Sequence, residues 1–256
     1  RSSDLFQDVT MTFGTVKLTN TSSPQQDVFL VKFNSSGKAL WGRNFGGTWH
    51  DVGRSVAIDS DGDIMLAGIY KSSVFNIGNI HLTNNDQNTN NVFLAKITTD
   101  GQVLWAKGMG ALGEDFCKSV ATDKSGNSFI CGHFKSQNIG FGNIQLQNST
   151  QSTKSFLAKY DSQGNALWAK TSESNGVDDF ATVTVDKTGN SYVCGSFDKS
   201  KIVYDTTNII NQQGTAKDII VVKYNEAGIV EWAKNFGDNY DAAGNSCSLD
   251  TEGNLF

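Results

Sequence analysis

Apolar and polar positions alternate along this chain in short runs, and the runs come back. Ser55-Val56-Ala57-Ile58-Asp59 leads through Asp61-Gly62-Asp63 into Ile64-Met65-Leu66-Ala67-Gly68. The phrase returns at Ser119–Gly132 and at Thr182–Gly195, and a fourth copy, Ser246–Phe256, reaches the last residue. The period is constant: Trp41, Trp105, Trp168 and Trp232 are 64, 63 and 64 residues apart. Gly37, Gly101, Gly164 and Gly228 keep the same step, as do Lys32, Lys96, Lys159 and Lys223. A fixed period of this size marks a repeat architecture.

Within one period the pattern predicts four main strands. In order they are the Ser-Val-Ala-Ile-Asp strand, the Ile-Met-Leu-Ala-Gly strand, a strongly apolar strand at 28–33, 92–97, 155–160 and 219–224, and the strand that carries the recurrent Trp. The third is apolar on both faces, as expected for a strand covered on both sides. Between the second and third strands lies a phrase seen as Phe13–Asn20, Ile77–Asn84, Phe141–Asn148 and, more loosely, Tyr204–Asn211. Alternating apolar residues about a Gly predict a small hairpin there. No segment has helical periodicity with caps. The predicted fold is therefore all-β: a β-propeller of four-stranded antiparallel blades, each with an extra hairpin between its second and third strands. A β-solenoid is the rival, with shorter rungs and parallel pairing. The units run 1–52 (partial), 53–116, 117–179, 180–243 and 244–256 (partial).

Two polar segments of each unit vary in text. One follows the hairpin, at 21–26, 85–90, 149–154 and 212–217. The other joins the last strand to the next unit, at 46–52, 110–116, 173–179 and 237–243. In a propeller both open on one face, and loops on a rigid scaffold are where recognition sits. The second set holds Trp49, His50 and Asp51; Glu114 and Asp115; Asp178 and Asp179; and Asp238, Tyr240 and Asp241. These are the candidate ligand-binding residues. Their carboxylates converging near an axis would suit a cation held by oxygen ligands, or else form a solvated acidic face. Trp49 and Tyr240 among Asn and Asp neighbours would suit stacking on sugar rings.

The sequence Asp27-Val-Phe-Leu-Val-Lys-Phe-Asn, with Gly37, Leu40-Trp41, Gly46-Gly47, Asp51 and Ser55-Val-Ala-Ile-Asp59 before Asp61-Gly62-Asp63, resembles the bacterial β-propeller repeat family called SBBP. The Phe-Gly-x-x-x-Leu-Thr-Asn phrase resembles a longer variant in secreted proteins of Bacteroidetes-type bacteria. The resemblance spans essentially the whole chain. It implies an extracellular or cell-surface propeller, often part of a large adhesin-like protein. It carries over no catalytic residue.

Composition narrows the picture further. The chain has 256 residues, 38% of them hydrophobic, enough for a sizeable core. The net charge of −5 gives no basic stripe to follow phosphates, which argues against nucleic acid. No apolar run approaches the roughly 20 residues of a membrane-spanning helix. There is no signal segment and no initiating Met, so residue 1 reads as a processed or truncated end. Residue 256 is in register with residue 1. A four-blade ring would have to join Leu255-Phe256 and Ser2–Phe6 into one interrupted strand, and the chain is expected instead to be part of a longer repeat protein.

Cys117, Cys131, Cys194 and Cys247 stand where other copies have small or apolar residues, and are expected to be structural thiols. Asp59-Ser60-Asp61-Gly62-Asp63 resembles the start of a calcium loop. Its counterparts lack the middle carboxylate, and an Asp-x-x-Gly turn accounts for all four, so no cofactor is expected although calcium remains an alternative. The recurrent Lys is expected to meet a carboxylate such as Asp59, Asp123, Asp186 or Asp250, and the recurrent Trp to pack on the outermost strand. His50, His81 and His133 fall at different points of the repeat, and no nucleophile or phosphate-loop motif is present. The expectation is a non-enzymatic extracellular module for adhesion, binding or spacing. Its partner would be a protein, a glycan or a neighbouring repeat. The alternatives are a lectin-like propeller and a secreted enzyme with an axial metal.

Overall fold

The computed structural model describes residues 8–20, 22–86, 88–150, 152–173, 176–198, 201–211 and 216–256. Ser2–Phe6, Thr21 of the first polar segment and Gln212–Thr215 of the fourth lie outside the described residues. Every regular element described is a β-strand, and every pairing is antiparallel.

The first unit contributes a hairpin, β1 (Thr10–Phe13) with β2 (Val16–Thr19), and a two-stranded sheet, β3 (Val28–Phe33) with β4 (Ala39–Phe45). Three complete units follow. In the second, β5 (Asp51–Ile58), β6 (Ile64–Tyr70), β9 (Asn91–Ile97) and β10 (Val103–Met109) form a sheet in that order, with hairpin β7 (Val74–Ile77) and β8 (Ile80–Thr83) inserted. The third repeats this as β11 (Asp115–Thr122), β12 (Ser128–Phe134), β15 (Lys154–Tyr160) and β16 (Ala166–Thr171), with β13 (Asn138–Phe141) and β14 (Ile144–Gln147). The fourth is β17 (Asp178–Val185), β18 (Ser191–Phe197), β21 (Asp218–Tyr224) and β22 (Val230–Phe236), with β19 (Lys201–Tyr204) and β20 (Thr207–Ile210). The fourth copy of the opening phrase forms only a bridge, Leu249 to Leu255, about an Asp250–Gly253 turn.

The predicted strand order and the inserted hairpin are thus present in three full sheets. One boundary differs. The first strand of each sheet begins at Asp51, Asp115 or Asp178, inside the segment that its polar text assigned to a loop. Burial decides this, since each of these Asp side chains is buried and hydrogen-bonded to a serine inside the fold.

Sheets stack face to face and bury three apolar layers between them. The first holds Val28 and Phe45 against Phe75, Phe93 and Ile97. The second sets Met65 and Leu94 against Ile130, Phe156 and Tyr160, and the third sets Phe129 and Leu157 against Phe180, Val222 and Tyr224. β9 and β15 are buried at all seven positions, which is why their sequence is apolar on both faces. First strands of neighbouring sheets adjoin: Thr122 Oγ1 donates to the Ile58 carbonyl at 2.8 Å, and Val120 N to Ser55 Oγ at 3.1 Å.

A bulge interrupts each first strand, between Gly53 and Ser55, Cys117 and Ser119, and Phe180 and Thr182. It pushes a carbonyl toward the facing strand. A Cβ on Gly68, Gly132 or Gly195 would lie 2.1, 1.9 or 1.8 Å from the oxygen of Val52, Phe116 or Asp179. That approach is why the second strand carries Gly at this place in all three sheets.

The inserted hairpins turn at Gly14, Gly78 and Gly142 with φ near +60°, and in the looser fourth copy Asp205 takes φ 51°. Asp is among the few residues that enter this region at modest cost, so the fourth hairpin survives the loss of its Gly. A buried Asn ends each hairpin. Asn20, Asn84, Asn148 and Asn211 donate from Nδ2 to the carbonyls of Gln25, Thr89, Ser152 and Ala216, at 2.7, 2.9, 2.7 and 2.8 Å. The polar segment after the hairpin is thereby closed by a repeated residue even where its text varies.

Candidate functional site

The ten candidate residues separate into buried, capping and exposed sets. Asp51, Asp115 and Asp178 are buried. Asp51 accepts from Lys71 N at 3.0 Å, Ser72 N at 3.1 Å and Ser72 Oγ at 2.6 Å. Ser72 Oγ in turn accepts from Trp49 N at 2.9 Å. Asp115 does the same with Ser136, at 3.2 Å from N and 2.7 Å from Oγ. Asp178 accepts from Ser155 N at 3.1 Å and Ser155 Oγ at 2.8 Å, and from Ser172 Oγ. Burial pushes all three carboxyls up to about 6, against the opposing pull of these hydrogen bonds. Asp51 and Asp115 fix the turn that launches the inserted hairpin, and each is turned into its own unit. Among the described residues no three of His, Cys, Asp and Glu are grouped to hold a metal ion.

The residue just before the position of the buried Asp, which is Ala242 in the last copy, meets the incoming backbone in three copies. His50 Nδ1 lies 3.4 Å from Gln26 N. Glu114 accepts from Asn90 N at 3.2 Å and Nδ2 at 2.6 Å, and Asp241 from Lys217 N at 2.9 Å. In the third copy this position is Val177, whose own N donates to Asp198 at 2.8 Å.

Trp49 and Tyr240 face solvent, 42% and 84% exposed, and Asp238 is exposed beside Tyr240. The Lys71 ammonium sits 5.9 Å from the centre of the Trp49 ring. The linking segment and the hairpin meet on one surface: Gly46 and Asn76 exchange both backbone hydrogen bonds, as do Glu173 and Val203.

Asp179 joins a cluster that spans two sheets. Its Oδ1 is 2.8 Å from His133 Nδ1 and its Oδ2 is 3.7 Å from Lys118 Nζ. Phe116 lies beside the His133 ring, centroids 5.0 Å apart. This cluster was not legible in the sequence, because His133 and Asp179 lie 46 residues apart and neither recurs. The serine partners had a signal: Ser72 and Ser136 each follow a Lys at the same repeat position.

The calcium-like loop is a turn. Asp59 Oδ1 accepts from Asp61 N at 3.0 Å and Asp63 N at 2.9 Å, and Gly62 takes φ 83°. Asp123, Asp186 and Asp250 accept from their turn amides in the same way. The recurrent lysines part company. Lys96 reaches Asp59 at 2.8 Å and Lys159 reaches Asp123 at 3.8 Å, both buried. Lys223 instead pairs with Glu231 at 2.8 Å, and Lys32 donates to Thr99 of the next unit. All four cysteines are free thiols, three of them buried and Cys247 partly so.

No family model matches the chain. It is 28% identical over 240 residues to an uncharacterized WD repeat-containing protein of Acanthamoeba polyphaga mimivirus, covering 80% of this chain and 17% of that one. It is 25% identical over 211 residues to the regulatory protein FlaEY of Caulobacter vibrioides, covering 77% of this chain and 22% of that one. A solved structure of a protein of unknown function from Bacteroides caccae aligns with a TM-score of 0.37 at 14% identity, over 81% of this chain and 72% of its own. The chain spans about a fifth of the length of the two curated relatives. Sequence likeness to a WD repeat protein and an all-β repeat of stacked four-stranded sheets are what the comparisons and the fold have in common.

Proposed function

We propose that these units are blades of a β-propeller of the SBBP type, serving as a non-catalytic extracellular or cell-surface scaffold that binds a protein partner on its loop face. One observation carries the reading. The polar residues that recur are spent on the fold, the Asp on turns and hairpin anchors, the Asn on loop closure, the Trp on the neighbouring unit. Among the residues that vary between copies, Trp49, Asp238 and Tyr240 are exposed on the linking segments. A constant frame under variable loops is the arrangement that repeat proteins use for recognition. WD-repeat likeness supports a protein partner.

The test is cross-linking capture on intact cells with the wild-type chain and with a Trp49→Ala, Lys71→Ala, Tyr240→Ala variant. A surface protein held by the first and lost by the second supports the reading. Saturable binding in a glycan panel, lost in Trp49→Ala, would replace it with the lectin-like one. Metal-dependent turnover would replace both with an enzyme.

A further inference from the structure

The recurrent lysines stand at one register position, and one of them is held less closely than the rest. Lys159 lies opposite Trp168 across β15 and β16, with its side chain 3% exposed. Its ammonium is 3.4 Å from the Glu226 carbonyl, 3.8 Å from Asp123 Oδ2 and 3.9 Å from Glu226 Oε1. Lys96 and Lys223 each have a carboxylate at 2.8 Å, and Lys32 has the Thr99 carbonyl at 2.9 Å. The difference has a cause in the turn. Asn127 Nδ2 donates to Asp123 Oδ2 at 2.7 Å. In the preceding unit Asp63 stands at that position, has no amide to donate, and leaves Asp59 Oδ2 to Lys96. A buried ammonium has three N–H donors to satisfy, and those of Lys159 meet no oxygen at ordinary hydrogen-bond distance.

Those donors border a cavity of about 530 Å³ between the third and fourth sheets, lined by Lys159, Leu167, Trp168, Asn190, Asn225 and Glu226. Its size falls in the range of small-molecule sites. It lies among the short repeated turns, at the opposite end of the strands from the linking segments and hairpins. Leu167 is the extra residue of a bulge in β16, between Ala166 opposite Tyr160 and Trp168 opposite Lys159. It is half exposed and sets an apolar wall beside the ammonium. The fourth unit shows the same place closed. There Glu231 is the bulge residue, between Val230 and Trp232, and it reaches Lys223 at 2.8 Å. Leu167 has no oxygen to offer, so Lys159 keeps its capacity for a further acceptor.

We infer that this cavity binds a neutral sugar or a related polyol. A hydroxyl both accepts and donates. The 3.9 Å between Lys159 Nζ and Glu226 Oε1 is a span that one hydroxyl oxygen bridges with ordinary bonds to each, accepting from the ammonium and donating to the carboxylate. Two carboxylates, Asp123 and Glu226, stand against the one ammonium, which disfavours an anion. The amides of Asn190 and Asn225 line the same cavity for further hydroxyls, and Leu167 covers the C–H side of a ring. The site shares no residue with the loop face, so its outcome is independent of what that face binds.

Saturation-transfer difference NMR of the wild-type chain with free glucose, galactose, mannose and N-acetylglucosamine tests this. At least one of these sugars is expected to bind saturably, with a dissociation constant in the millimolar range for so small a ligand. Two variants copy what neighbouring units already do. Leu167→Glu sets a carboxylate at the bulge, as Glu231 does for Lys223, and Asn127→Asp frees Asp123 for Lys159, as Asp63 does for Asp59 and Lys96. Each should stay folded by circular dichroism and weaken binding at least roughly tenfold, the equivalent of one hydrogen bond to a charged group. They act on different strands, so the failure of one to fold leaves the other to decide. Trp49→Ala, on the loop face, should leave binding unchanged. Absence of binding by all the sugars would overturn the inference, as would binding that persists unchanged in the folded variants. Binding lost in Trp49→Ala instead would place the sugar on the loop face and overturn it too. So would displacement of the sugar by acetate, which would show that the ammonium serves a carboxylate.

Discussion

Trp105 Nε1 donates to the carbonyl oxygen of Ser162 in the following unit at 3.1 Å, and the indole is capped by Gly164 of the same turn. Two recurrent residues 59 positions apart in sequence are therefore one contact in space. Trp105→Phe should lose the hydrogen bond while keeping most of the apolar area, a cost of about 1 kcal/mol. Trp105→Ala should cost about 3 kcal/mol, since the ring fills the space between two sheets. Urea melts followed by circular dichroism separate the two, and equal costs would show that the hydrogen bond contributes nothing beyond the ring.

The glycine on the other side of this contact gives a sharper comparison. Gly164 has φ 79° and its Cβ would meet the Trp105 ring at 2.9 Å; Gly62 has φ 83° and open space around it. Gly62→Ala should cost about 1 kcal/mol, the left-handed penalty alone. Gly164→Ala should cost more than that, because the ring must also move. Equal midpoints for the two variants would contradict the close contact.

That contact also shows what could be read from the sequence and what could not. The period placed the recurrent Trp, Gly and Lys in register, because the alternation of apolar residues follows the pleat. It did not show that Trp from one unit answers the turn of the next, since a repeat pattern looks the same whether the partner lies inside the unit or beyond it. Asp51, Asp115 and Asp178 read as loop because Asp is polar. They are strand residues because Ser72, Ser136, Ser155 and Ser172 satisfy them inside the fold. In the fourth copy Ala242 takes this position, its N bonded to the Lys217 carbonyl as Asp178 N is to Thr153. The partner of Lys223 could not be read from its repeat, because Glu231 stands where the other units have Leu40, Leu104 and Leu167.

Lys96 and Asp59 form a buried pair at 2.8 Å, with side chains 7% and 0% exposed. Lys96→Met removes the cation and leaves a carboxylate with no counter-charge except through water. A loss of roughly 3 kcal/mol is expected, and Asp59→Asn added to Lys96→Met should restore part of it. Thermal melts of the two single variants and the double close the cycle. Additive losses would mean that the pair is not coupled.

The thiols make a prediction about chemistry rather than stability. Burial raises Cys131 well above the usual thiol range and pushes Cys117 up to about 12. The thiolate is the reactive form, so both should resist alkylation in the native protein. Mass spectrometry after iodoacetamide at pH 8 should find Cys117 and Cys131 unmodified without denaturant and fully modified with it. Prompt native labelling of either would show that the strand carrying it opens.

The three buried aspartates set the direction of the pH response. Each has its folded value raised to about 6 from 3.8, so the folded chain holds a proton more tightly than the unfolded one. A raised carboxyl stabilises the fold below its unfolded value, and that contribution is lost as pH rises through 4 to 6. The shift corresponds to at most about 3 kcal/mol per group, and the realised effect is expected to be smaller where water relaxes the site. The protein should therefore melt at a higher temperature at pH 5 than at pH 7.5. Asp115→Asn keeps an oxygen to accept from Ser136 N and carries no charge. It should raise the melting temperature at pH 7.5, leave it nearly unchanged at pH 5, and flatten the curve between them. A midpoint that climbs with pH over this window in the wild-type chain would mean that these carboxyls stay ionised in the fold, held by their serine and backbone donors more strongly than burial opposes them.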